Sequence, residues 1–118
     1  MITRQQIADA LSTVAGITGE ALEPATKAPG QGWPVWRSSD VINGCDAMTV
    51  NWYVFVVLPG GDPNVPADAA DPLVLPISHA LNDIGGARSG LKVELIEPYQ
   101  YNLGPDLSIP VLRYSATD

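Results

Sequence analysis

Residues Met48–Leu58 read MTVNWYVFVVL and are followed by the breaker Pro59-Gly60-Gly61. Val, Tyr, Phe and Trp fit the pleated surface of a sheet and lose rotamer freedom in a helix, so this run predicts a strand buried on both faces. At about 3.3 Å per residue the run spans roughly 36 Å, whereas a compact domain of this length is about 35 Å across. The strand is therefore expected to cross the whole molecule or to extend beyond it, which favours a protein whose sheet reaches neighbouring subunits.

A second strand is predicted directly before this one. Residues Trp33–Ile42 (WPVWRSSDVI) precede Asn43-Gly44, the dipeptide that type I′ hairpin turns prefer. Pro34 has no amide donor, so its end of the strand is expected at a sheet edge or a strand start. The sequence therefore predicts a hairpin of residues 33–42 with 47–58.

Two amphipathic helices are predicted, one on each side of this hairpin. Thr3 and Gln6 have the spacing of a capping box, and the apolar stripe behind them continues to Val14 before Gly16. The second helix is expected to begin at Asp71-Pro72, as N-cap and first residue, and to run to Ile84. Because Pro76 lies inside this helix, its first turn is expected to be kinked.

The rest of the chain supplies short strands and loops. Pro110 argues that the last strand lies at a sheet edge. The pattern predicts one α+β domain over residues 1–118, with a mainly antiparallel sheet and two helices packed on one face. The additional predicted segments are a weak strand at Ile17–Leu22, a loop at Gly60–Asp68, and strands at Leu91–Ile96 and Leu107–Tyr114 joined across Asn102–Asp106.

The composition argues against some function classes. The chain has six basic and thirteen acidic residues and a net charge of −7, which is unsuited to phosphate binding because that needs clustered Lys and Arg. Charged residues make up only 16% of the chain, so apolar surface is left uncovered, which favours burial against other subunits. A monomer with a Val- and Leu-rich core is the alternative.

The N-terminus does not resemble a targeting segment. Met1–Ala10 contains Arg4 and Asp9 where a signal peptide needs an apolar stretch, and no window approaches 18 apolar residues. The single Cys45 permits no internal disulfide. We expect assembly in a cytoplasm.

Candidate catalytic groups are few. His79 and Asp83 have helical i, i+4 spacing, but this face points away from the apolar stripe, so a solvated surface contact is expected. Ser78 adjoins His79 without facing it, and no nucleophilic triad is evident. Glu94 and Glu97 have opposite strand parity and are expected on opposite sides of the sheet, which argues against paired carboxylate chemistry.

Metal and cofactor sites are not predicted either. Asp62, Asp68 and Asp71 lie near one loop, but the stretch DPNVPAD lacks the ligand spacing of a calcium loop. Helix N-capping explains Asp68 and Asp71 without a metal. Cys45 lies next to Asp46, which disfavours a reactive thiolate. The glycines form no phosphate-binding motif. No catalytic, cofactor-binding or metal-binding residue is predicted.

An interaction surface is the remaining candidate site. Trp33 and Trp36 have opposite parity, so one of them is expected to face away from the core, as an interface or a structural residue. The loop Pro59–Ala67 leaves the end of the long strand, and we expect it to be mobile in the free protein and ordered against a neighbour. The candidate interface residues are Trp33, Trp36, Pro59, Gly60, Gly61, Asp62 and Asn64.

The layout of the chain resembles the tail terminator (tail completion or minor tail) proteins of long-tailed bacteriophages. The segments that carry this resemblance are the N-terminal helix ITRQQIADALSTV, the long apolar strand MTVNWYVFVVLP, the helix DPLVLPISHALNDIGG and the strand pair LKVELIEPYQY and LSIPVLRYSATD. The resemblance implies a structural virion protein without enzymatic activity. Such a protein forms a homohexameric ring at the head-proximal end of the tail tube, ends tube polymerisation and joins the tail to the head-side neck protein.

The resemblance also implies partners and a location. They are other copies of the chain, the tail tube protein and a head-side connector protein, within the virion tail and neck and away from any membrane. Genomic DNA would pass through the ring without specific binding, and an acidic lumen suits that passage because attraction would stall a polyanion. The alternatives are another ring-forming neck or head-closure protein and, from a different class, a small-molecule binding protein or hydrolase, which a pocket with convergent polar groups would favour.

Overall fold

The computed structural model describes residues 2–41, 48–86 and 90–118 of the chain. In these residues one five-stranded sheet has the order β1-β2-β3-β5-β4, in which β1 pairs with β2 in parallel and the other three pairs are antiparallel. The fold is therefore α+β with a mixed sheet. The elements in chain order are α1 (Arg4–Ser12), β1 (Thr18–Gly19), β2 (Gln31–Val41), β3 (Met48–Val57), α2 (Asn64–Ala70), α3 (Val74–Asn82), β4 (Lys92–Gly104) and β5 (Leu107–Thr117).

The predicted hairpin of β2 and β3 is confirmed. The two strands pair antiparallel from Gly32 with Val56 to Val41 with Met48, with a bulge after Trp36. The expected turn at Asn43-Gly44 lies outside the described residues. β3 lies between β2 and β5. It is buried on both faces only from Val54 to Val57, whereas from Met48 to Tyr53 buried residues alternate with exposed or half-buried ones, so the two-sided burial predicted from the apolar run holds for the C-terminal part of the strand.

The helices cover one face of the sheet. α1 begins with the predicted capping box, in which the Gln6 amide donates to the Thr3 hydroxyl and the Thr3 amide donates to the Gln6 side chain. All three helices contribute buried residues to a single cluster on this face, together with alternate residues of β3. The helix residues are Ile7 and Leu11 of α1, Ala70 of α2, and Ile77 and Leu81 of α3.

The short strand β1 packs against α1, and this contact explains its glycine. A Cβ atom at Gly19 would lie 1.9 Å from the carbonyl oxygen of Ala8, so only glycine fits. In the sequence, glycine weakens the strand prediction, because it has no side chain to pack. In the structure, it permits the close approach of strand and helix backbones.

The segment after β3 differs from the sequence prediction. The loop prediction for Gly60–Asp68 is wrong from Asn64 onward, because α2 occupies Asn64–Ala70. The part of the chain that the structure describes therefore contains three helices rather than two. The N-capping roles expected of two aspartates are wrong, because Asp68 lies inside α2 and Asp71 is the C-cap of α2, whereas the next helix begins at Val74.

The prolines of these helices are tolerated by position. Pro66 and Pro76 are each the third residue of a helix, where the backbone amide has no intrahelical partner in any case. Pro76 therefore removes no hydrogen bond from α3, and its presence does not require the kink that the sequence predicts in the first turn. The Asp71-Pro72 pair, which predicts an N-cap and a first helical residue, placed the start of the second helix too early, because this pair lies in the turn at 71–73 between α2 and α3.

The edge position expected from Pro110 is also wrong, because β5 lies between β3 and β4. The carbonyl of Pro110 accepts a hydrogen bond from the Leu58 amide at 2.9 Å, one step past the last β3–β5 pair, Val57 with Val111. In an antiparallel strand the amide and carbonyl of one residue point to the same side. The side of Pro110 that has no amide hydrogen therefore faces β3 at the point where β3 leaves the sheet, so no ladder hydrogen bond is lost there.

The two outer edges of the sheet each carry a proline. β1 pairs only with Gln31 and Gly32, which leaves β2 unpaired on that side from Trp33 onward. In an antiparallel pair, successive residues direct their backbone amide and carbonyl groups alternately toward the partner strand and away from it. Pro34 of β2 and Pro98 of β4 occupy positions whose backbone groups face away from the sheet, so their lack of an amide hydrogen falls on the free edge. This arrangement protects both edges against pairing with another strand.

Both hairpins extend beyond the sheet, at opposite ends. β3 pairs with β5 only from Asn51–Thr117 to Val57–Val111. The pairs from Ser39–Val50 to Val41–Met48 therefore project past one end of the sheet, and the pairs from Gln100–Pro110 to Gly104–Leu107 project past the other. The molecule measures 50 × 33 × 22 Å, and the long strand does extend beyond the domain body.

Candidate interaction surface

The second face of the sheet carries no helix residues in its apolar cluster. This cluster contains only strand residues: Trp33, Phe55, Val57 and Val111 are buried, and four partly buried residues pack around them. The segment 20–30 covers one end of this face, where the Lys27 ammonium lies 5.9 Å from the ring centres of both Trp33 and Tyr101. Among residues 2–41, 48–86 and 90–118, no helix covers the remainder of this face.

The covering segment is held by a polar contact. The Tyr101 hydroxyl donates to the Glu23 carboxylate, and Lys27 forms an ion pair with the same carboxylate at 3.1 Å. Burial, followed by this hydrogen bond, raises the pKa of Tyr101 to about 12. The hydrogen bond from Tyr101 lowers the pKa of Glu23 below its usual value. The contact therefore favours the ionised form of Glu23.

The open part of the face carries a layered group of aromatic rings and guanidinium groups. Arg113 lies between two rings, with its Cζ atom 4.8 Å from the Tyr53 ring centre and 4.1 Å from that of Tyr99. The Cζ atom of Arg37 lies 5.2 Å from the same Tyr53 ring centre. Leu95 is 51% exposed beside them. We call Arg37, Tyr53, Leu95, Tyr99 and Arg113 the aromatic–arginine patch.

The two arginines of the patch differ in their charge environment. The Arg113 guanidinium donates to the Glu97 carboxylate from Nε at 2.8 Å and also from Nη2, and this pairing raises the pKa of Arg113 further above its usual value. Within residues 2–41, 48–86 and 90–118, Arg37 contacts the Tyr53 ring and forms no ion pair. Arg37 is thus an exposed cation, with no carboxylate partner among the described residues, on a chain of net charge −7.

A polar row lies beside the patch on the same face. The Asn51 amide nitrogen donates to Ser38 and Asp40, and the Thr117 hydroxyl lies within hydrogen-bond distance of both Asn51 and Glu94. A bulge between Val93 and Leu95 shifts the strand parity, so Glu94 reaches the face that also carries Glu97. The expectation that these two glutamates face opposite sides is therefore wrong.

The two tryptophans separate as their parity predicts. Trp33 is completely buried, against Phe55 and Tyr101 with ring centres 5.9 and 5.5 Å away. Trp33 therefore belongs to the core and is not exposed for an interface. Trp36 is 58% exposed, and its indole nitrogen donates to the Ser39 hydroxyl at 3.0 Å.

The remaining predicted interface residues lie at the end of β3. Gly60, Gly61, Asp62 and Asn64 are exposed and Pro59 is half-buried. The Asn64 amide donates to the Asp62 carboxylate at 3.0 Å. Asn64 is the first residue of α2, so the predicted mobile loop is in part a helix.

A groove of about 630 Å³ begins beside these residues and continues to the patch through Tyr99. Its walls are mainly apolar and include Val57, Ala70 and Val111. Two of its polar side chains, Gln100 and Ser108, hydrogen-bond to each other at 3.3 Å. They are directed at one another rather than into a shared binding position.

The residues weighed for catalysis are not brought together. His79 and Asp83 are exposed on α3 and its C-cap, joined by a backbone hydrogen bond of 3.0 Å. Cys45 lies outside the described residues. In the part of the chain that the structure describes, no three His, Cys, Asp or Glu residues form a group that could hold a metal ion, and no helix is long and apolar enough to cross a membrane.

Sequence reasoning missed the aromatic–arginine patch. A signal was present, because Arg113 interrupts the apolar run Ile109–Tyr114 at a strand position where a charge is unusual. Its partners Tyr53 and Tyr99 lie 60 and 14 residues away, so only the strand order reveals that they meet.

Comparisons with known proteins find no similarity that identifies the chain. No family model, no curated protein and no solved structure matches it.

Proposed function

We propose that this protein is a structural component of a phage virion that caps the head-proximal end of the tail tube as a homohexameric ring. In this role it ends tube polymerisation and joins the tail to the head-side neck protein. It acts without catalysis or a cofactor. The proposal rests on the resemblance in element order to tail terminator proteins.

The observation that supports the proposal best is the distribution of uncovered surface. One sheet face bears the aromatic–arginine patch, and a projecting hairpin lies at each end of the sheet. Large exposed apolar side chains occur on both hairpins, at Val41 and Met48 and at Leu103 and Leu107. A two-stranded ribbon is marginally stable alone in water, and exposed apolar patches favour contact with another protein. Such a surface suits a subunit with several neighbours.

The proposed role is tested by mass and by binding to tubes. Native mass spectrometry should give six times the 12.5 kDa chain mass, and negative-stain micrographs should show rings. Gold-labelled protein added to purified tail tubes should bind at one end only. Labelling along the whole tube, or no labelling, would contradict the terminator role.

A neck or head-closure connector ring is the nearest alternative, and the same labelling separates the two. A connector would bind purified heads instead of tube ends. The groove favours the second class, a small-molecule binding protein, because its 630 Å³ falls in the usual range for ligand pockets. A chain that stays monomeric and gains melting temperature with a small-molecule library would support that class.

A further inference from the structure

We propose that the tip of the β4–β5 hairpin of one copy docks on the aromatic–arginine patch of the next copy, with Asp106 meeting Arg37. The inference rests on the proposed self-association and names the surfaces that carry it. The partner is thus a second copy of this chain.

The patch requires an occupant with apolar side chains and one acid. Arg37 has no carboxylate partner within the described residues, while Leu95 and Tyr99 are 51% and 37% exposed beside it. Cation–π contacts leave the positive charge of Arg37 available to an anion.

The hairpin tip has the matching composition. Leu103 and Leu107 are 40% and 60% exposed and lie on either side of Asp106, which is exposed in the turn between the strands. Within the described ranges, the Asp106 carboxylate forms no ion pair. Two apolar side chains beside one free acid therefore complement the apolar rim and free cation of the patch.

The tip lies far from the end of the patch formed by Arg37, Tyr53 and Leu95 of its own chain. Tyr53 and Leu95 both pair with Ser115, which is eight residues along β5 from Leu107, or roughly 26 Å at the strand rise. The hairpin also projects away from the sheet, past the last β3–β5 pair. Only another molecule can bring these two surfaces together.

The protected edges of the sheet favour this contact over edge-to-edge pairing. Outward-facing Pro34 and Pro98 interrupt the free edges of β2 and β4. The tip and the patch are different surfaces of the same chain, so their contact is head-to-tail, and such contacts generate closed rings when the rotation permits.

Charge reversal at the two contact positions tests the inference in the full chain. Arg37→Glu and Asp106→Lys should each weaken self-association by at least about tenfold in sedimentation velocity, because each places like charges opposite one another. An equimolar mixture of the two variants should regain wild-type association to within about threefold, since each contact in an alternating ring then pairs opposite charges. Rescue by mixing separates a lost contact from a folding defect.

The matched control is Asp83→Lys, which makes the same charge change at an exposed position on the helix side. It should associate like the wild type. The inference would be overturned if both reversal variants associated like the wild type. It would also be overturned if mixing the variants did not restore association, or if the wild type stayed monomeric at every concentration. If the reversal variants associate normally and still cap tubes, the inference fails while the proposed function stands. If the wild type neither associates nor binds tubes, both fail.

Discussion

At the scale of single residues, the environment decides what each side chain does. Trp33 and Trp36 are three positions apart, yet one is completely buried and the other is 58% exposed. The indole nitrogen of Trp33 has no hydrogen-bond partner within the described residues, so its packing must offset the cost of burying a donor. Tryptophan content alone therefore does not identify an interface.

Gly19 gives the sharpest prediction at this scale. In Gly19→Ala the new Cβ would meet the Ala8 carbonyl oxygen at 1.9 Å, and because both atoms belong to backbone elements, β1 and α1 must separate. We expect a loss of about 1–3 kcal/mol in the free energy of unfolding, measured by urea denaturation.

The matched control is Gly60→Ala. A Cβ atom there meets nothing within 4 Å, so the change should stay within about 0.5 kcal/mol. Equal denaturation midpoints for the two variants would contradict the close packing of β1 against α1.

At the scale of elements, the segment 20–30 is held on the sheet by few contacts. Glu23 accepts from Tyr101 and pairs with Lys27, which lies over Trp33. The folded-state pKa of Glu23 is lowered from 4.5, first by the Tyr101 hydrogen bond. Its stabilising contribution is therefore complete above pH 4.5 and is lost as the pH falls through the folded-state pKa.

Glu23→Gln removes this pH dependence. Between neutral pH and about pH 3, the wild type should lose more stability than the variant, by less than about 1 kcal/mol because the carboxylate is half exposed. Urea midpoints across the pH range measure the difference. Glu20→Gln is the control, because within the described residues its side chain forms no hydrogen bond, and it should follow the wild type. A Glu23→Gln profile parallel to the wild type would show that this carboxylate does not hold the segment.

At the scale of the whole molecule, the net charge opposes self-association, whereas the exposed apolar surface favours it. The net charge of −7 makes copies repel at low ionic strength, while the open face and projecting hairpins offer apolar contact area. A single exposed ion pair is worth only about 0–1 kcal/mol, so one Arg37–Asp106 contact adds little against this repulsion.

Self-association should therefore strengthen with salt. Raising NaCl from about 0.02 to 0.3 M shortens the Debye screening length to roughly 6 Å. The association constant measured by sedimentation should then rise several-fold, because the repulsion between copies is screened. This rise is expected even though the Arg37–Asp106 contact itself weakens. Potassium glutamate in place of NaCl controls for specific chloride binding. Dissociation on adding salt would mean that ion pairs, and not apolar burial, hold the copies together.

The sequence alone determined the elements whose signal is local. The run Met48–Leu58 identified β3, and the spacing of Thr3 and Gln6 identified the cap of α1, because side-chain branching and capping act within a few residues. The hairpin of β2 with β3 was equally predictable from its short connection.

Only the tertiary structure decided what depends on strand order and register. It placed β5 inside the sheet despite Pro110, and it placed a turn at 71–73, where the Asp71-Pro72 pair predicts the start of a helix. It also brought Arg37, Tyr53, Tyr99 and Arg113 together from three different strands and the bulged region of a fourth. Strand order is set by burial summed over the whole sheet, and a one-residue bulge moves a side chain to the other face. Local sequence therefore predicts the strands, whereas the candidate site exists only once they are assembled.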